Sequence, residues 1–268
     1  MLPWQSSVPQ RRSMKAETPV AETLDEIVER RARFLEAYQD AAWAQRYREA
    51  VGRIAQSLLG LKLAPQAPIV VLSDNAVDHA LLLLASMHVG RPVCTVSSAY
   101  CRLTKDYTKI QGILNTLGPA LVYASDAAVY GPPLAAAGLH SVVVFSQGAE
   151  SFPGALGFDS LTRTAEGPAV AAAFAAITPD THAKYLLTSG STGHPKVVIN
   201  THRMLCANQQ MLAQTLRFLD AEKPVLLDWL PWSHTFGGNH NTNIVLRTGG
   251  TMYIDDGRPL PGAIDKTL

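Results

Sequence analysis

The sequence predicts an α/β domain in which layered, largely parallel sheets are flanked by helices. Three observations carry that prediction. Short β-branched runs such as Ile69-Val70-Val71-Leu72 and Ser141 to Phe145 recur between longer segments of helical pattern. Glycine and proline stand where the two kinds of segment meet, as at Gly90 and Gly118-Pro119. Apolar residues make up 47% and charged residues 17% of the 268 positions, enough to build a core and too little charge for a disordered chain.

Residues 1 to about 20 are polar, with Pro3, Pro9 and Pro19, and are expected to form a loose arm. The remainder, 21–268, is expected to be one partial domain. Thr23-Leu24-Asp25-Glu26 has the form of a capping box opening a helical region that Gly60 closes. Within it, Trp43, Tyr47, Val51, Ile54 and Leu58 keep the apolar spacing of one helical face. Ile69 to Leu72 is a strand, Ser73-Asp74-Asn75 a turn able to cap the next helix, and Ala76 to Val89 that helix, with His79 on its surface. Val93 to Val96 is a strand, Thr104 to Leu117 a helix, and Ala120 to Ala124 a strand. Ala127 to Ala137 reads as a weak helix with prolines near its start, Ser141 to Phe145 as a strand, and Ala169 to Ala176 as helical. His202 to about Phe218 is a helix, Pro224 to Trp229 a strand, Gly238 to Leu246 a helix and Thr251 to Ile254 a last strand. Trp229 and Trp232 are expected in the core, because large aromatics bury area wherever they can.

Bulk properties exclude several functions. Twenty-three basic against 22 acidic side chains leave a formal charge of +1, so no global field recruits nucleic acid or an anionic membrane. The N-terminal stretch has no apolar h-region, and the longest apolar run, near Ala80 to Ala85, is far short of the roughly 18 residues a span needs. Cys94, Cys101 and Cys206 make no CxxC pair, so neither a zinc site nor a disulfide framework is implied, and no metal-binding residue is assigned. A cytoplasmic location with reduced thiols is the expectation.

The segment Thr188-Ser189-Gly190-Ser191-Thr192-Gly193-His194-Pro195-Lys196 concentrates the chemistry. Glycines let backbone N–H groups turn inward into an anion-binding concavity, hydroxyls add donors, and the lysine adds a positive charge. It departs from a Walker A loop, which needs glycine directly before its lysine and a helix after it. Here Val197-Val198-Ile199 follows, so the chain is expected to leave the loop as a strand. A bare hairpin turn is the alternative reading of the composition.

TSGSTGHPK resembles the phosphate-binding signature of the adenylate-forming superfamily, which includes acyl-CoA synthetases, luciferase-like enzymes and peptide-synthetase adenylation domains. LPWSHTFGG (Leu230 to Gly238) is similar to the superfamily's next core motif, and Gly249-Gly250-Thr251 to the turn after it. Within the superfamily, VINTHRMLCANQQMLAQ (Val198 to Gln214), DWLPWSHTFGGNHNTN (Asp228 to Asn243) and YIDDGRP (Tyr253 to Pro259) most resemble feruloyl-CoA synthetases. The resemblance implies an ATP-dependent carboxylate–CoA ligase, with ATP, Mg²⁺ and coenzyme A as its cofactors and substrates and ferulate or a related aromatic carboxylate as its acid; the alternatives are a fatty-acyl or benzoate ligase and a non-catalytic nucleotide-binding fragment. It implies that Thr188, Ser189, Gly190, Ser191, Thr192, Gly193 and Lys196 hold the ATP phosphates, that His234 sits beside the acyl carboxylate as the catalytic candidate, and that Phe236, Gly237 and Gly238 shape the acyl pocket. The position after the loop lysine is usually glycine in the superfamily, and Val197 there implies a strained or altered exit, since a β-branched residue cannot take φ > 0. The superfamily's later motifs do not follow, so about half of a member is expected here, with an exposed edge strand and apolar face and no adenylation by this chain alone.

Overall fold

A computed structural model of the protein describes residues 41–102, 106–188 and 195–255. The expected arm and the capping box at Thr23 lie outside them, as do Ser189 to His194 and the positions after Asp255. The chain divides into a unit ending at Ala50 and a unit from Val51 onward. Helix α1, Ala41–Gly60, carries the predicted spacing: Val51, Ile54 and Leu58 are buried and Tyr47 is exposed, while the side chain of Trp43 is outside those described.

From there strands and helices alternate: β1 Ile69–Leu72, α2 Val77–His88, β2 Val93–Val96, α3 Ala99–Arg102, α4 Thr108–Leu117, β3 Leu121–Asp126, α5 Ala127–Ala137 and β4 Val142–Gln147. The short strand β5 Leu156–Gly157 and helices α6 Phe158–Leu161 and α7 Pro168–Ala175 follow, then β6 His182–Thr188 and β7 Lys196–Thr201. Helices α8 His202–Thr215 and α9 Phe218–Ala221, strand β8 Val225–Asp228, a π-helix Phe236–Asn241, α10 Thr242–Thr248 and β9 Thr251–Ile254 complete the described part.

Seven strands form one sheet in the order β5-β4-β3-β1-β2-β6-β7, parallel throughout except for the antiparallel β6–β7 hairpin. Strands β8 and β9 pair in parallel as a separate small sheet. The predicted class is therefore observed, and its reason is visible in burial: β1 and β2 are buried along their whole length, as strands covered on both faces must be. One face packs Val70, Leu72, Cys94, Val96, Val122 and Ala124 against α4 and α5. The alternate residues Ile69, Val71, Thr95 and Tyr123 face the other way. There the Tyr123 ring meets Phe158 of α6 edge-on at 5.5 Å, and His79 of α2 bonds Thr95.

Several local expectations are corrected. His79 is fully buried rather than on the helix surface. The helix predicted from Thr104 is observed from Thr108 as α4, after Tyr107; Thr104 and Lys105 lie outside the described residues, and the short α3 before them was not predicted. Pro132 and Pro133 stand in the middle of α5, which persists because Tyr130, Pro133 and Leu134 are buried against the sheet. Asn75 does not cap α2, whose N-cap Ala76 receives no side-chain bond; it reaches across the fold instead. Trp229 is 43% exposed, whereas Trp232 is buried as expected. Among the described residues β7 is the outermost strand on its side of the sheet, and Val198 and Ile199 on it are exposed.

Candidate active site

The phosphate-loop candidate is the connection of the β6–β7 hairpin. Ser189, Gly190, Ser191, Thr192 and Gly193 lie outside the described residues, but both ends of the loop are placed. Thr188, the last residue of β6, is the direct cross-strand partner of Lys196, the first of β7, and both are exposed. Opposed residues share a sheet face, so a hydroxyl and an ammonium flank the base of the loop. Val197 pairs with Leu187 and packs half-buried against the core cluster. Among the described residues the only non-glycine positive φ angles are at Lys62 and Gln66, so the strain expected at Val197 is absent: the chain is already a strand there.

The second motif is a turn held from several sides. Asn75, in the loop after β1, donates from Nδ2 to the Leu230 carbonyl at 2.8 Å and accepts from the Trp232 N–H at 3.0 Å. A single amide thus pairs with two backbone groups as a neighbouring strand would. Buried Asp228 accepts from Trp232 Nε1 at 3.0 Å, from Asn241 Nδ2 at 2.8 Å and from the Leu230 N–H at 3.3 Å. Trp232 also meets the His79 ring edge-on at 5.0 Å. His234 is exposed; its N–H donates to Pro231 O at 3.0 Å, and its carbonyl accepts from the Gly238 N–H at 2.8 Å. Phe236 is exposed and stacks on His240 with ring centroids 4.6 Å apart. Gly237 and Gly238 are buried where no side chain fits: a Cβ on Gly237 would lie 2.6 Å from Leu230 O, and one on Gly238 2.2 Å from Trp232 O. The π-helix beginning at Phe236 is the kind of irregularity that gathers at functional sites.

These two motifs meet through a cross-strand pair. Lys184 on β6 and Asn200 on β7 are partners in the hairpin register. Lys184 Nζ donates to Gly238 O at 2.6 Å, and Asn239 Nδ2 donates to Asn200 Oδ1 at 2.8 Å, so consecutive residues of the π-helix are docked on facing strands. Four residues along β6 separate Lys184 from Thr188, about 14 Å at strand rise. Alternation puts Lys184, Leu186 and Thr188 on one face, the face on which the π-helix is seated. Burial pulls the Lys184 ammonium down to about 8 and the His79 imidazole down to about 4, so His79 is neutral at pH 7. Its Nε2 and Thr95 Oγ1 are 3.2 Å apart, and Nδ1 lies 3.3 Å from Asp74 O. Cys94 beside this strip is buried, and its thiol is pushed up to about 12. No cluster of metal-ligating side chains occurs among the described residues.

The candidates Thr188, Lys196, His234, Phe236, Gly237 and Gly238 therefore belong to one face of one hairpin and the turn docked on it. Asn75, Asp228, His79 and Lys184 were not anticipated. Only Lys184 left a trace in the sequence, as a charge in the otherwise apolar strand HAKYLLT. A shallow depression of about 330 Å³ lined by Leu114, Pro119, Gly138 and His140 lies at the amino ends of β3 and β4, the opposite end of the sheet from Thr188.

The AMP-binding enzyme family matches residues 27–266, which includes the hairpin, the turn and the strands beneath them. The chain belongs to the AMP-binding enzyme family. It is 27% identical over 213 residues to the 3-[(3aS,4S,7aS)-7a-methyl-1,5-dioxo-octahydro-1H-inden-4-yl]propanoyl:CoA ligase of Mycobacterium tuberculosis, covering 76% of this chain and 40% of that protein. It resembles the ATP-bound crystal structure of MatB from Rhodopseudomonas palustris at 25% identity and a TM-score of 0.56, over 76% of this chain and 38% of that one. An adenylation domain of a keto acid-selecting NRPS module bound to keto acyl adenylate has the same fold, with a TM-score of 0.62 at 20% identity over 77% of this chain and 35% of that one. The chain thus spans about two-fifths of the length of the ligase it matches. No helix among its described residues is long and apolar enough to cross a membrane.

Proposed function

We propose that this chain is the N-terminal portion of an ATP-dependent acid–thiol ligase that activates a carboxylate as its acyl-adenylate, with ferulate or a related hydroxycinnamate as the acid. The observation that supports this most is the docking of the His234 turn onto the same hairpin that carries the Thr188–Lys196 loop. A carboxylate and a triphosphate repel in water, so their reaction needs a surface that holds both and neutralises charge developing on the phosphates.

In this reading Ser189, Ser191 and Thr192 donate to the β- and γ-phosphates, Gly190 and Gly193 let the backbone approach, and Lys196 supplies the counter-charge with Thr188 beside it. His234 orients the carboxylate, and Phe236 with Gly237 and Gly238 walls the acyl side. A carboxylate oxygen attacks the α-phosphorus as the bond to the bridging oxygen of the β-phosphate breaks, releasing pyrophosphate. The thiolate of coenzyme A then attacks the acyl carbon and AMP leaves with the electron pair. Mg²⁺ would neutralise phosphate charge when bound. The hydroxycinnamate assignment rests on the resemblance of Val198 to Gln214 and Asp228 to Asn243 to feruloyl-CoA synthetases.

The test is pyrophosphate exchange with ferulate, 4-coumarate, benzoate and octanoate, run on this chain and on a hybrid in which it replaces the matching part of the M. tuberculosis ligase. Exchange by the hybrid with the hydroxycinnamates, abolished by Lys196→Ala, is expected, together with none by the chain alone. A hybrid preferring octanoate or benzoate would remove the substrate assignment. Absence of ATP binding by the chain at millimolar nucleotide and of exchange by the hybrid would remove the ligase reading.

A further inference from the structure

Lys184 is the most unusual side chain of the described residues. It is 1% exposed, on the strand next to the β7 edge of the sheet, and among the described residues no carboxylate pairs with it; its hydrogen bond goes to the Gly238 carbonyl. His79 of α2 lies on the Lys184 side of the sheet and Cys94 of the neighbouring strand β2 on the opposite side, and neither carries a negative charge at neutral pH. A buried cation in such surroundings is unfavourable, and an apolar residue of similar volume there is commonly neutral or stabilising. Folding alone does not account for a lysine at this position.

Its location suggests what does. The Gly238 carbonyl that it holds also accepts from Thr242 Oγ1 at 2.6 Å, and the Gly238 N–H donates to the His234 carbonyl. Thr242 lies on the same helical run as Gly238 and cannot fix that run to the sheet, whereas Lys184 stands on the strand that ends in the phosphate loop. The ammonium reaches the carbonyl because position 238 has no side chain: a Cβ there would lie 3.3 Å from Nζ.

We propose that Lys184 is a positioning residue for acyl activation, its ammonium anchoring the Gly238 carbonyl so that the His234 turn is held at a fixed distance along β6 from the phosphate loop. This rests on the ligase reading above and assigns to it a residue that touches neither substrate. Lys184→Met keeps the volume and removes the donor. In the chain itself, Lys184→Met is expected to leave the melting temperature unchanged or raised. Hydrogen exchange at the 234–242 amides should accelerate at least tenfold, while the β1 and β3 amides keep their protection. In the hybrid enzyme, the KM for the carboxylate is expected to rise at least tenfold with the KM for ATP within twofold. Unchanged exchange at 234–242, or equal weakening of both substrates alongside a lowered melting temperature, overturns the positioning role. So does an unchanged carboxylate KM in an active hybrid. If the hybrid with Lys184 intact turns over no carboxylate, the ligase reading fails instead, and exchange in the chain then decides whether the anchor exists.

Discussion

Gly238→Ala is a small chemical change at the tightest point of the candidate site. The added methyl would lie 2.2 Å from the Trp232 carbonyl oxygen and 3.0 Å from its carbon, both backbone atoms of a turn clamped by Asn75 and Asp228. Retreat from 2.2 Å to even 3.0 Å displaces Gly238 by about 0.8 Å. A displacement of that size taken along either bond is enough to stretch the 2.6 Å Lys184 bond to the edge of hydrogen-bonding range or to carry the 2.8 Å bond to His234 O beyond it. A charge-assisted bond is worth about 1.5–3 kcal/mol and a neutral one about 1, so losing either gives an expected loss of about 1–3 kcal/mol, the range of ordinary overpacking. Urea denaturation followed by tryptophan fluorescence should show the midpoint falling by roughly 1 M. Gly60→Ala is the control, because a Cβ at the end of α1 meets nothing within 4 Å. Equal midpoints for the two variants would refute the inference that the turn is locked around position 238.

Two further outcomes follow from buried polar groups. Between pH 6.5 and about 4 the unfolded chain takes up a proton at His79 that the folded chain excludes, so this residue lowers stability as pH falls through that window and leaves it unchanged above. The loss amounts to about 3 kcal/mol at the lower end; NMR of the His79 ring should show it neutral at pH 5, and a titration midpoint near 6.5 would contradict its burial. Asn75→Ala removes both bonds to the 230–232 turn and should lower stability by about 1–2 kcal/mol, with faster hydrogen exchange at the Trp232 amide. Unaltered exchange there would show that Asp228 holds the turn alone.

Much of the fold was legible because periodicity reports burial directly. IVVL, VCTV and TMYI read as strands and are strands, and Ala127 to Ala137 was bounded correctly by its flanking residues although its prolines fall mid-helix. Where the reading failed, a residue's partner lay far away in the chain. Asn75 looked like a cap because Asn near a helix start usually is one; its partners are more than 150 positions downstream. His79 looked exposed because a polar residue in a helix normally faces water, and only the presence of Thr95 and Trp232 makes its burial tolerable.

The order of residues alone determined the alternation of strands and helices, the hairpin exit after Lys196 and the two motifs that mark the family, since each depends on local conformation or on short-range composition. Tertiary structure decided that the two motifs share a face. Lys184 and Asn200 became opposed only when β6 and β7 paired, and Gly238 and Asn239 met them only when the Asp228 turn folded back onto the sheet. Hydrogen bonds between residues tens of positions apart leave no periodic trace in a sequence, because they are fixed by register and packing and not by neighbours along the chain.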